Sequence, residues 1–136
     1  MDLDAAREFL RAHHRAVLAT VRRDGRPQLS PVLCACDEKG RVLISTRETA
    51  VKTQNLRRDP RVSLCVLSDG FFGDWVRVDG EAEVISLPGA MDLLIDYYRR
   101  ISGEHSDWDD YRSAMTRERR VAVRVSLTGA GPDVSG

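Results

Sequence analysis

Ile44-Ser45-Thr46-Arg47-Glu48-Thr49-Ala50-Val51-Lys52-Thr53-Gln54-Asn55-Leu56-Arg57-Arg58-Asp59-Pro60-Arg61 is the stretch on which the reading of this chain turns. It opens as the end of an apolar strand, Arg41-Val42-Leu43-Ile44-Ser45, passes through small polar residues and becomes a short helix that stops at Asp59-Pro60. The proline sets the stop, because the residue before a proline is pushed out of helical geometry. Thr49 is the expected N-cap, its hydroxyl able to satisfy an orphan N–H of the first turn. A helix N-terminus offers free N–H groups and a partial positive charge, both suited to an anion. Two hydroxyls (Ser45, Thr46) and two cations (Arg47, Lys52) surround this one. The segment therefore reads as a phosphate site placed where a strand hands over to a helix. Taken alone, the same residues also describe the wet face of an ordinary short helix, so the rest of the chain decides.

With 136 residues, 42% of them hydrophobic and 31% charged, the chain suits one soluble globular domain with a single core. Lys+Arg and Asp+Glu are equal at 21 each. That balance argues against nucleic acid as a partner, since such a face leaves a basic excess. No apolar run approaches the roughly 18 residues of a membrane span. The charged opening Met1-Asp2-Leu3-Asp4 is not a signal peptide, and three cysteines make no disulfide framework. These features give a cytoplasmic reading. Cys34 and Cys36, two apart on a strand, point to one face and read as small buried hydrophobes. The adjacent His13 and His14 diverge on a helix and read as surface residues. Helix capping explains the acids around His105 with less than a bound cation would.

Hydrophobic periodicity orders the remainder. Residues 3–13 read as an amphipathic helix, and 16–21 and 28–36 as strands joined by the hairpin signal Asp24-Gly25. Pro31 marks an edge or a bulge, because it lacks a donor for the ladder. Strands follow at 41–45, 62–67, 75–85, where Gly80 marks a bulge, and 120–127. Pro88 is expected in the first turn of a second helix ending at Gly103, and Ser106 as the N-cap of a third. The sum is a mainly β fold with helices: a six-stranded, closed antiparallel barrel over residues 1–127, with 128–136 as a flexible, glycine-rich tail.

Three blocks carry a family resemblance: Val17-Leu18-Ala19-Thr20 with Asp24-Gly25-Arg26-Pro27-Gln28-Leu29-Ser30, Lys52 to Arg61, and Gly103 to Tyr111. Together they resemble the pyridoxamine-5′-phosphate-oxidase-like (FMN-binding) split barrel, and within it the actinobacterial branch that uses coenzyme F420, an 8-hydroxy-5-deazaflavin. The resemblance implies a homodimer with a cofactor at each end of the groove between subunits. It places Ser45, Thr46, Ala50, Val51 and Lys52 at the cofactor's ring edge and phosphate, Ser30 and Pro31 beside the ring, and Trp75 as a flanking aromatic from the partner subunit. The family often carries Arg two residues before the lysine. This chain has Ala50 there, and Arg47 is expected to supply the charge.

No catalytic triad, glycine-rich phosphate loop or carboxylate pair stands out, as expected where a cofactor carries the chemistry. The resemblance implies hydride transfer from the reduced deazaflavin to a conjugated alkene or carbonyl. The alternatives are an FMN-dependent oxidase or flavin reductase on the same barrel, and a non-catalytic deazaflavin-binding protein. Arg57, Arg58 and Arg61 are candidates to guide the acidic tail that a deazaflavin has and FMN lacks.

Overall fold

The first hairpin forms where Asp24-Gly25 predicts it. In the computed structural model, which describes residues 1–133, β1 (Arg15–Val21) and β2 (Pro27–Leu33) pair antiparallel, from Arg15 opposite Leu33 to Val21 opposite Pro27. Gly25 takes φ +86°, a left-handed conformation that glycine adopts without a Cβ penalty. Pro31 lies within β2 with no bulge. The strand is an edge of the sheet, where a missing donor is tolerated.

The other elements are α1 (Leu3–Ala12), β3 (Ala35–Cys36), β4 (Val42–Arg47), α2 (Val51–Arg58), β5 (Arg61–Leu67), β6 (Trp75–Ile85), α3 (Met91–Ser102), α4 (Trp108–Arg117) and β7 (Arg120–Gly131). They form one curled antiparallel sheet in the order β2-β1-β5-β6-β7-β4-β3. Seven strands replace the expected six, because the run 28–36 breaks at Cys34, whose N–H bonds the carbonyl of His14 at 2.8 Å. The chain leaves one edge of the sheet as β2 and returns on the other as β3. β2 and β3 thus remain edges, and the barrel is split, as the family resemblance implies, where strand patterning alone suggests a closed one.

Three boundaries also shift. α3 begins at Met91, after a separate turn around Pro88. The N-cap of α4 is Asp107, not Ser106, with Asp107 Oδ1 accepting from the N–H of Asp110 at 3.1 Å. β7 runs four residues past Leu127, because the long β6 supplies partners as far as Arg77 opposite Gly131. The last part of the expected loose tail, residues 134–136, lies outside the described residues.

The sheet encloses a core of Leu10, Leu18, Val42, Ile44, Leu56, Leu64 and Val66, with α1 and α2 supplying Leu10 and Leu56. A second cluster covers the outer side of the sheet, where Leu94, Ile95, Tyr111 and Met115 of α3 and α4 pack on Ala122 of β7. Burying each such aliphatic side chain contributes roughly 1.5–3 kcal/mol. Among the described residues no helix is long and apolar enough to cross a membrane.

Cys34 and Cys36 sit in the inner core, as their spacing indicates. Burial, with the neighbouring Cys36 thiol adding to it, pushes the Cys34 thiol up to about 12. Since the thiolate is the reactive species, both core cysteines resist alkylation in the native protein. Cys65, half-buried on β5, is expected to label first and slowly, its thiol also raised by burial. Mass spectrometry after iodoacetamide treatment checks this: modification of Cys34 ahead of Cys65 without denaturant would contradict the packing.

Candidate functional site

α2 is fixed at both ends by polar contacts that the sequence spacing supplies. At its start, Thr53 Oγ1 donates to the Arg47 carbonyl at 2.6 Å and Gln54 Nε2 to the Glu48 carbonyl at 2.8 Å. Deeper in, the buried Asn55 Nδ2 donates to Thr20 Oγ1 at 3.1 Å, and Thr20 in turn donates to Gln28 Oε1 at 3.1 Å. Arg58 Nη2 then joins Asn55 Oδ1 to the Val21 carbonyl. This network ties the Lys52–Arg61 block to the first hairpin. Buried polar groups so paired fix one orientation, since an orphaned one costs roughly 1–3 kcal/mol.

That orientation aims Lys52 at β2. Its Nζ lies 3.4 Å from Ser30 Oγ, and among the described residues it makes no ion pair. Burial, helped by the nearby Arg120 cation, holds the Lys52 ammonium below the ordinary lysine range. The helix start behind it is bare: Thr49 is exposed and does not cap, the N-cap is Ala50 with no side-chain hydrogen bond, and the first turn has no acid. The alanine has no oxygen to offer, and Thr53, the nearest hydroxyl inside the helix, is turned back on Arg47. A partly desolvated, unpaired ammonium next to free N–H donors is a donor set suited to a phosphate.

The split in the barrel frames this site. β3 pairs β4 only at Val42 and Leu43, so the edge of β4 from Ile44 to Arg47 has no strand partner opposite β7. β2 presents the other free edge. Tyr97 of α3 bridges the gap, its hydroxyl donating to the Leu33 carbonyl at 3.2 Å. Its phenol is pushed up to about 12, chiefly by burial and next by Cys34, against smaller lowering contributions from Arg120 and the Ser45 backbone. It is thus a neutral hydroxyl at physiological pH and adds no negative charge beside Lys52.

The residues expected at the site divide accordingly. Lys52, Ser30, Ala50 and the exposed Val51 gather at the start of α2. Ser45 lies on the free edge of β4, while Thr46 turns inward and is buried. Pro31 follows Ser30 on β2 and projects from the opposite face. Arg47 leans to Glu118, with Nη2 3.7 Å from Oε1, and Arg120, bound to the same oxygen at 2.8 Å, is the cation whose charge lowers Lys52. Trp75 lies in the row Leu33–Arg15–Leu67–Trp75, three strands from β2, or about 14 Å across the sheet. Within one chain it stands apart from Lys52.

Tyr97 and Arg120 were not legible as site residues: one depends on the rotation of α3, the other on the pairing of Arg47 with Arg120 across β4 and β7. Arg57, Arg58 and Arg61, the expected tail guides, are engaged elsewhere: Arg57 with Glu48, Arg58 with Val21 and Asn55, Arg61 with Asp59. The Gly103–Tyr111 block builds an aromatic cluster of Tyr98, His105, Trp108 and Tyr111 that locks α4 onto α3. His105 Nδ1 accepts from the Asp107 N–H there at 2.9 Å, and no grouping fit for a metal ion occurs among the described residues.

Similarity to known proteins agrees with this architecture. A sequence profile described as pyridoxamine 5′-phosphate oxidase matches residues 3–130. A conserved hypothetical protein from Mycobacterium tuberculosis is 28% identical, with TM-score 0.76 over 100% of this chain and 92% of that one. A structure described as an F420 reductase is 22% identical, with TM-score 0.72 over 91% of this chain and 94% of the other. A FAD-binding protein from Mesorhizobium loti is also 22% identical, with TM-score 0.69 over 96% and 92%. A split antiparallel sheet, a cation-bearing helix set against its free edge and a profile match across nearly the whole length lead to one assignment: the chain belongs to the pyridoxamine 5′-phosphate oxidase family.

Proposed function

We propose that this protein is an oxidoreductase that binds coenzyme F420 and reduces an electron-poor conjugated alkene or carbonyl. The observation that carries the reading is Lys52: half-buried, without an acidic partner among the described residues, next to Ser30 and Arg120 at the bare start of α2. That donor set fits the phosphate of a flavin or deazaflavin. The likeness to an F420 reductase favours the deazaflavin, and the likeness to a FAD-binding protein keeps FMN as the alternative. When bound, a deazaflavin supplies a two-electron, hydride-donating centre.

The chain's own residues bind and orient. Lys52 and the first-turn N–H groups take the phosphate, with Ser30 holding the ammonium in place. The free edge at Ser45 offers backbone groups to a ring edge, while Pro31 lies on the outer face of β2 with Val17, Leu33 and Leu67. A homodimer completes the site in this proposal. The outer face of β2-β1-β5-β6 carries Val17, Leu29, Leu33 and Leu67, and Leu29 and Leu33 are 62% and 46% exposed. An apolar sheet face of that kind is suited to a second copy, which would bring the partner subunit's Trp75 to a site that this chain's own Trp75 does not reach.

Fluorescence titration of the purified protein with coenzyme F420 and, separately, with FMN tests the reading. Micromolar or tighter deazaflavin binding with much weaker FMN binding, followed by turnover of conjugated enones without oxygen consumption, is the expected result. A preference for FMN moves the protein to the oxidase alternative. Tight deazaflavin binding with no turnover of any enone leaves a carrier.

A further inference from the structure

We propose a second anion subsite at the start of β7, built by Arg119 and Arg120, whose ligand is an oligocarboxylate. Arg120 lines this cavity, and the reading extends the proposed cofactor site without depending on it.

The argument begins with a backbone angle. Arg119 joins α4 to β7 at φ +54°, the only left-handed non-glycine residue among those described. Left-handed geometry costs a residue with a Cβ roughly 1–2 kcal/mol, and glycine is the usual occupant of such a helix exit. The backbone contacts there would serve any residue: the Arg119 N–H donates to the Thr116 carbonyl at 3.1 Å, and its carbonyl accepts from the Glu48 N–H at 2.9 Å. What glycine would lack is the guanidinium. That group is exposed, and among the described residues it has no ion pair and no hydrogen bond.

Its surroundings are cationic. Arg119 and Arg120 line a cavity of about 320 Å³ with Glu48, Ser86, Leu87 and Thr116. Arg120 gives Nε and Nη2 to one oxygen of Glu118, at 3.1 and 2.8 Å, and keeps Nη1 unspent. The one acid in the wall is already satisfied, since Arg57 grips both oxygens of Glu48 at 2.7 and 3.2 Å. Ser86 is engaged with the same pair. The unpaired charge facing the cavity is therefore that of Arg119, with Nη1 of the paired Arg120 as a further donor, and a planar guanidinium fork matches carboxylates. A cavity of this size takes more than one carboxylate. Two sources meet that chemistry: an acidic tail on the molecule held at Lys52, or a free di- or tricarboxylate.

Calorimetric titration of the full chain at low salt with citrate and with tri-γ-glutamate tests the subsite, on wild type and on Arg119→Gly. Glycine suits the left-handed angle, so this variant is expected to melt no lower than wild type. Both probes should bind wild type and weaken about tenfold in the variant. No binding to wild type, or equal binding to both proteins, overturns the proposal. A parallel titration with long- and short-tailed deazaflavins separates the sources: a tail-length preference lost in Arg119→Gly marks the cofactor tail, and its absence marks a free ligand. If neither deazaflavin nor FMN binds while the probes still discriminate Arg119→Gly, the cofactor reading falls and the subsite stands.

Discussion

Lys52→Ala is expected to weaken binding of a phosphate-bearing deazaflavin or flavin about tenfold to a hundredfold while leaving the apo protein as stable as wild type or slightly more so. The binding loss follows from removing one charge-assisted hydrogen bond of roughly 1.5–3 kcal/mol. The stability outcome follows from the direction of the Lys52 shift. Its ammonium is held below the ordinary lysine range by burial and by Arg120, so the charged form is disfavoured in the folded state relative to the unfolded one. Carrying that charge costs the fold at every pH below the folded pKa, and the cost is relieved as pH rises through it. Alanine removes the cost outright.

A bound phosphate reverses the balance by giving the ammonium a counter-charge. Inorganic phosphate should therefore raise the melting temperature of wild type at neutral pH, and the gain should fade at alkaline pH as Lys52 loses its proton. In Lys52→Ala the gain is small and shows no such fading. Differential scanning fluorimetry across pH, with chloride at matched ionic strength as the control, reads both effects. A Lys52→Ala variant that binds cofactor as wild type does, or that loses several degrees of stability unliganded, would make Lys52 a structural residue and remove the anion site.

The parts of this molecule legible in sequence were those set by local rules. The Asp24-Gly25 hairpin, the exact bounds of β6 and the bulge at Gly80 each need only neighbouring residues, and each is where the pattern puts it. The stop of α2 before Asp59-Pro60 is another local event, and the helix does end at Arg58. Features requiring two distant segments were not legible. Whether the barrel closes depends on whether β2 pairs with β4, which it approaches without pairing, and the break at Cys34 between β2 and β3 is a bond to His14 in an earlier segment. Sequence proximity to Lys52 points to Arg47 as the substitute cation. Its place on β4 sends it to Glu118, and the cation whose charge lowers Lys52 is Arg120, 68 residues further on and bound to the same Glu118. The capping errors at Thr49 and Ser106 share a simpler cause. A hydroxyl or carboxylate caps only if its residue occupies the boundary, and each boundary fell one residue later.

Gly80→Ala should be the most destabilising conservative change in the sheet, by about 1–3 kcal/mol and toward the upper end of that range. The reason is what an added methyl group would strike. A Cβ at Gly80 would lie 2.3 Å from the Ser126 carbonyl oxygen and 2.7 Å from Val125 Cγ1. The valine methyl can rotate away, but the carbonyl belongs to β7 at the point where the register shifts between Asp79 and Gly80. Moving it would disturb the ladder that pairs Gly80 with Leu127 and Glu81 with Ser126, and with it the longest pairing in the sheet. Gly89→Ala is the matched control, since a Cβ there meets only ordinary contacts at 3.6 and 3.8 Å. It should fall within about 0.5 kcal/mol of wild type. For a chain of this length each kcal/mol moves the melting temperature by about 4 °C, so the two variants are separable in a single thermal scan. Equal melting temperatures would mean that β7 yields at the bulge, and that the strand carrying Arg120 is less firmly placed than its pairing implies.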